Sequence, residues 1–122
     1  MMRAFFDTNI LVYLFDEDAP EKKALAQKLF ERETDAGHAI LSVQVLQEFY
    51  VTVTRKLTNP LSPEIAENVV RNLAALPLIT IDAPLVLTAI GKSRLLGFSF
   101  WDALIITAAL TGGAAYLFTE DL

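Results

Sequence analysis

The chain has no cysteine and one histidine, His38, among its 122 residues. The first absence excludes disulfides, thiolate zinc sites, iron–sulfur clusters and a cysteine nucleophile, and it fits a reducing compartment. A single imidazole cannot form a histidine metal site. Glycine and proline are sparse, at five each. No G-x-G-x-x-G or G-x-x-x-x-G-K-[ST] occurs, so dinucleotide-binding and P-loop enzymes are unsupported. No nucleophilic serine motif is present either. The N-terminus enters a strand-like run at once, without a basic segment followed by a long apolar core. No signal peptide is expected, and a cytoplasmic location is. The longest uncharged stretch, Ala103 to Thr119, is broken by Gly112-Gly113 and falls short of the ~20 residues that cross a bilayer. It reads as a buried helix, a turn and a strand, and no membrane association is expected.

What is present is apolar. A hydrophobic fraction of 53% in 122 residues suffices for one core and one domain, residues 1–122. The mean hydropathy of +0.41 is high for a small soluble domain. Part of that surface is therefore expected to meet another chain, and a homodimer is the expectation.

Four acids stand in apolar settings. Asp7, with Thr8 and Asn9, closes the run Arg3-Ala4-Phe5-Phe6; Glu48 lies within Gln47-Glu48-Phe49-Tyr50; Asp102 lies within Phe100-Trp101-Asp102-Ala103-Leu104-Ile105; Asp121 follows Ala115-Tyr116-Leu117-Phe118-Thr119. They carry most of the net charge of −5 and leave a nearly balanced remainder. A divalent cation would neutralise such a cluster, so acidity does not exclude a phosphodiester substrate.

The pattern along the chain alternates strands and helices. Arg3 to Phe6 is a buried strand, and Asn9 is placed to cap a helix from Ile10. Pro20 opens a helix with Leu25, Ala26, Leu29 and Phe30 on one side, ended by Gly37. Ala39-Ile40-Leu41 is a second strand. Ser42 caps the next helix, whose stripe is Leu46, Phe49, Tyr50 and Val53. Pro63 starts a helix, Leu78 to Ile81 forms a third strand, and Pro84 starts a helix ending near Gly97. Phe100 to Leu110 is a helix and Ala115 to Thr119 a last strand. This order predicts an α/β fold of three layers, α/β/α, around a central, mostly parallel sheet. Parallel strands bring their carboxyl ends to one rim, so Asp7 and Asp121 should meet there, with Glu48 and Asp102 reaching it from early helical turns.

Like charges at such a rim repel unless a cation offsets them, and oxygen donors without His or Cys suit Mg²⁺ or Mn²⁺. A bound cation of this kind activates water and holds the leaving oxygen of a phosphoryl displacement, so the chemistry expected is phosphodiester hydrolysis. Arg55, seven residues after Glu48, is a candidate for the substrate phosphate, ahead of Lys56, Lys92 and Arg94.

The blocks Phe-Phe-Asp7-Thr8-Asn9-Ile-Leu-Val, Leu41-Ser42 with Gln47-Glu48-Phe49, Phe100-Trp101-Asp102-Ala103-Leu104-Ile105 and Thr119-Glu120-Asp121, in this order and at these intervals, resemble a PIN domain along the whole chain. The likeness is to the VapC type, the toxin halves of toxin–antitoxin pairs. It implies an Mg²⁺- or Mn²⁺-dependent ribonuclease, an RNA substrate, and a VapB-like antitoxin that occludes the site. It assigns the metal-binding and catalytic acids to Asp7, Glu48, Asp102 and Asp121, with Thr8, Asn9, Ser42 and Thr119 as polar support. Glu120, next to Asp121, is an alternative fourth acid. Relatives commonly continue for another strand, so a sheet lacking a C-terminal strand is expected here.

Each acid also has a bland reading. Asp7 fits a turn, Glu48 and Asp102 fit helix-dipole or salt-bridge partners, and Asp121 fits a solvated tail. Asp82, which also follows a strand, is read as a cap before Pro84. Phe100 and Trp101 are read as core, and His38 as a surface loop residue. Two other functions compete with the nuclease. One is a non-catalytic interaction module on the same fold. The other is a phosphohydrolase or phosphoacceptor domain, for which the expected acid pair and strand-end Lys are not evident.

Overall fold

Ala4, Phe5 and Phe6 are wholly buried, and with Arg3 they form β1 (Arg3–Phe6), the strand around which the rest is arranged. The computed structural model describes residues 2–120. A run buried on both faces is what a central parallel strand requires. Its neighbours are β2 (Ala39–Ser42) on one side and β4 (Ala114–Phe118) on the other, with β3 (Leu78–Ile79) beyond β2. All pairings are parallel, in register Phe5 with Ile40, Phe5 with Leu117 and Leu41 with Leu78.

Among the described residues, six helices fill the crossovers. They are α1 (Thr8–Tyr13), α2 (Pro20–Asp35), α3 (Val43–Arg55), α4 (Pro63–Leu73), α5 (Ala83–Leu96) and α6 (Phe100–Thr111). The result is the α/β/α arrangement expected, with Phe49 and Val53 of α3 and Ile105 and Ala108 of α6 packed into one core with the strands. Besides α1, four of these helices begin at a side-chain cap. Ser42, Ser62, Asp82 and Ser99 accept from the backbone N–H of Val45, Ile65, Leu85 and Asp102, at 3.3, 3.2, 2.9 and 3.1 Å. Each such cap contributes about 1 kcal/mol and fixes where its helix starts. Asp82 is thus a cap, as its position before Pro84 predicts.

Between α6 and β4 the chain passes Gly112-Gly113. A Cβ on Gly112 would lie 2.8 Å from Ile79 Cδ1 and 2.9 Å from Ile40 Cδ1, so only glycine admits the sheet this closely. Gly113 has φ +73°, the left-handed conformation that glycine adopts without penalty. Arg3 Nη1 donates to the Gly112 carbonyl at 3.0 Å, which ties this turn to the start of β1. The helix, turn and strand read from Ala103 to Thr119 are therefore present. Among the described residues, no single helix is long and apolar enough to cross a membrane.

The differences from the sequence reading are local. Helix α1 begins at Thr8 rather than Ile10, because Asp7 instead of Asn9 is the cap. Strand β3 ends at Ile79, two residues early, since the chain turns away to let Asp82 cap α5. The buried stripe of α3 is Val45, Phe49 and Val53, while Tyr50 reaches solvent.

Candidate functional site

Strand order β3-β2-β1-β4 means that the chain leaves β1 toward β2 and returns on the opposite side to β4. Sheets of this kind leave a crevice beyond the carboxyl ends of the two strands where the order reverses, here β1 and β4. Asp7 directly follows β1 and Thr119 directly follows β4. The Asp7 N–H donates to the Phe118 carbonyl at 3.0 Å, and Thr119 Oγ1 donates to Asp7 Oδ2 at 2.7 Å. Asp7, only 8% exposed, thereby has its carboxylate fixed in the crevice by Thr119, 112 positions away.

Its other oxygen, Oδ1, accepts from Thr8 N at 2.7 Å. The Thr8 hydroxyl turns to the neighbouring helix and donates to Glu48 Oε1, also at 2.7 Å. One residue therefore holds both carboxylates. Glu48 reaches this point because the Ser42 cap sets the start of α3 at the end of β2, and Glu48 lies in the second turn. Gln44, one turn earlier, extends Nε2 to Glu48 Oε2 (3.5 Å) and to the Trp101 carbonyl (3.4 Å), joining α3 to the first turn of α6. Asp102 stands in that turn beside Trp101.

A cleft of about 680 Å³ results, and Asp7, Thr8, Asn9, Glu48 and Asp102 all line it. Ser42 does not; wholly buried, it acts through its cap on α3. Asp121 lies outside the described residues. Glu120 is not among the lining residues; its Oε2 accepts from the hydroxyl of Tyr13, which is, at 2.6 Å, and its Oε1 lies 3.2 Å from Lys22 Nζ. The Tyr13 hydroxyl, and after it the Lys22 ammonium, hold the Glu120 carboxyl below its ordinary range. Neither Glu48 nor Asp102 forms an ion pair among the described residues, so the salt-bridge reading of both is withdrawn.

Two residues are placed differently from expectation. Arg55 is exposed at the end of α3 and does not line the cleft; Lys56, the next residue, does. Trp101 is no core residue. It is 62% exposed on the cleft wall, because the Ser99 cap directs the opposite side of α6, Ala103 to Ile105, into the interior. Gln44 was not singled out in the sequence at all, although its spacing of four from Glu48 puts the two on one helical face.

The donor set is all oxygen. Among the described residues, no group of three acids is placed to hold a metal ion by itself. Mg²⁺ does not need one, since it keeps several waters and takes one or two carboxylates. Asp7 and Glu48, bridged by Thr8, offer two. Gln44 Oε1 adds a neutral oxygen that is buried without a hydrogen-bond partner among the described residues. The residues present fit a hard divalent cation.

Comparisons with known proteins agree with this fold. A toxin–antitoxin complex from Klebsiella pneumoniae has a TM-score of 0.70 at 18% identity, over 96% of this chain and 86% of that one. The VapC20 toxin of Mycobacterium tuberculosis, which cleaves the sarcin–ricin loop, has a TM-score of 0.76 at 18% identity, over 97% and 89%. At this identity the likeness is one of fold. A search of curated proteins gives no match. The PIN domain family model matches residues 4–122, nearly the full length, and the chain therefore belongs to the PIN domain family.

Proposed function

We propose that this chain is a metal-dependent ribonuclease of the VapC toxin type, a single domain that hydrolyses RNA phosphodiester bonds. The observation that carries this reading is the bridging of Asp7 and Glu48 by Thr8, in a cleft that Asp102 also lines. When bound, Mg²⁺ or Mn²⁺ supplies Lewis acidity at the phosphoryl group and lowers the pKa of a water toward neutrality.

The chain's own residues prepare for this. Asp7 and Glu48, with Asp102 and Asp121, supply the negative charge that attracts the cation. Thr8 and Thr119 fix the carboxylates of Glu48 and Asp7 by donating to one oxygen of each. Asn9 adds an amide in the same cleft, and Ser42 sets the helix that delivers Glu48. Lys56 lines the cleft and takes the substrate phosphate in preference to Arg55. The partners in this reading are RNA, a second copy of the chain and a VapB-like antitoxin that covers the cleft, all in the cytoplasm. Leu87, Leu95 and Leu96, exposed on α5, offer apolar surface to the second copy.

The test is degradation of a mixed RNA pool by the purified protein with Mg²⁺ or Mn²⁺, with EDTA, and with Asp7→Asn. Cleavage is expected to require metal and to be lost in Asp7→Asn. In parallel, saturating Mg²⁺ should raise the Tm of the wild type, by about 2.7 kcal/mol of stabilisation at a hundredfold excess over Kd, and should not raise that of Asp7→Asn. A folded wild-type protein that neither cleaves nor gains stability with either metal would leave a non-catalytic interaction module as the reading.

A further inference from the structure

Trp101 is the chain's only tryptophan, and its indole stands mostly exposed on the wall of the cleft that holds the acids. What sets it apart from other exposed aromatics is its place, on the cleft wall and directly before Asp102. Its backbone is not loose. The Trp101 carbonyl accepts from Gln44 Nε2, whose other contact is Glu48, so the backbone that carries the indole is two hydrogen bonds from a carboxylate of the site. The Phe100 ring packs edge-on against it, with centroids 5.1 Å apart and planes at 71°, which restricts the orientation of the indole.

We propose that Trp101 is a substrate-binding residue that stacks on an unpaired base of single-stranded RNA, next to the phosphodiester held at Asp7 and Glu48. This rests on the nuclease reading of the cleft. A phosphate drawn to those acids through a cation brings its flanking nucleosides to the cleft walls, where Trp101 is the exposed aromatic and Lys56 the cation. An aromatic face beside a backbone-binding cation is how single strands are held without base-edge readout. A base within an A-form duplex keeps its faces stacked on its neighbours and cannot offer one to the indole. The substrate class is therefore RNA with an unpaired segment at the cut, such as a loop or a free strand. An indole stacks on any base, so Trp101 selects the unpaired state and leaves sequence preference to other contacts.

Because Trp101 is the sole tryptophan, its emission reports this contact directly. The experiment titrates the wild-type protein in Ca²⁺, a hard cation used in place of Mg²⁺ so that binding is read without turnover, with a single-stranded RNA oligonucleotide, the same strand carrying abasic sites, and a blunt RNA duplex of the same sequence. Saturable quenching by the intact single strand alone is expected. In the otherwise wild-type chain, Trp101→Ala should raise KM for a single-stranded substrate about ten- to a hundredfold with little change in kcat, and Trp101→Phe should recover most of the loss. Circular dichroism of both variants checks that they fold. Equal quenching by all three nucleic acids, or a wild-type KM in Trp101→Ala, would overturn the proposal. So would unchanged emission with every oligonucleotide while the wild type still cleaves RNA, which would assign the indole to a protein partner and leave the nuclease reading intact. Failure of the wild type to cleave any RNA with metal would instead remove the nuclease reading itself, and the proposal with it.

Discussion

Thr8 donates its backbone N–H to Asp7 and its hydroxyl to Glu48, each at 2.7 Å, and so couples the end of β1 to the second turn of α3. The two carboxylates come from distant parts of the sequence, and this one residue links them, its hydroxyl forming the half of the link that reaches Glu48. Thr8→Val keeps the shape and removes only the hydroxyl. It is expected to lower kcat/KM for RNA about tenfold to a hundredfold, since misplacing a catalytic group by about 1 Å costs that much. The Tm should change little, because the lost hydrogen bond is worth about 1 kcal/mol. Thr8→Ser should restore most activity. Kinetics and thermal unfolding of the three proteins decide it, and wild-type kcat/KM in Thr8→Val would remove the bridging role.

Gly112 separates packing from chemistry. An added Cβ would meet Ile79 Cδ1 at 2.8 Å and Ile40 Cδ1 at 2.9 Å. Gly112→Ala is therefore expected to destabilise by about 1–3 kcal/mol, the cost of overpacking a dense core. Its φ of −76° is open to any residue, so no backbone strain contributes. Ile79→Val deletes the nearer methyl. In a double-mutant cycle by chemical denaturation, Gly112→Ala with Ile79→Val should lose less than the sum of the single changes. Strict additivity would mean that the contact does not set the cost.

The sequence was most readable where one physical signal acts alone. Ala4-Phe5-Phe6 announced a buried strand, and Ser42 and Asp82 announced helix starts, because a cap is a local interaction. It was least readable where two residues compete for one role. Asn9 and Asp7 both suit a cap, and the carboxylate, already turned toward Thr8 N, takes it. Trp101 looked like core because its neighbours are apolar; only the rotation of α6 set by Ser99 shows which side faces the cleft. Arg55 and Lys56 differ by one residue, about 100° around a helix, and that angle decides which reaches the cleft. Gln44 is a long-range link between α3 and α6, and no local pattern reports such a link.

Glu120 anchors the segment after β4 through Tyr13 and Lys22, and Lys22 Nζ also lies 5.1 Å from the centre of the Tyr13 ring. This anchor stands one residue from Thr119, which holds Asp7. The Tyr13 hydroxyl chiefly, then the Lys22 ammonium, depress the Glu120 carboxyl. A carboxyl with a folded pKa below its unfolded value stabilises the fold above the unfolded value, near 4.5, and that contribution disappears as pH falls through the folded value. The anchor should thus be intact at neutral pH and should open in acid, below the range where free glutamates titrate. Removing the hydroxyl with Tyr13→Phe should move the Glu120 titration upward, toward that of an ordinary glutamate. Side-chain carboxyl NMR across pH 2–7 reads this directly. If Glu120 titrates normally in the wild type, the anchor does not form in solution and Thr119 must be held by other contacts.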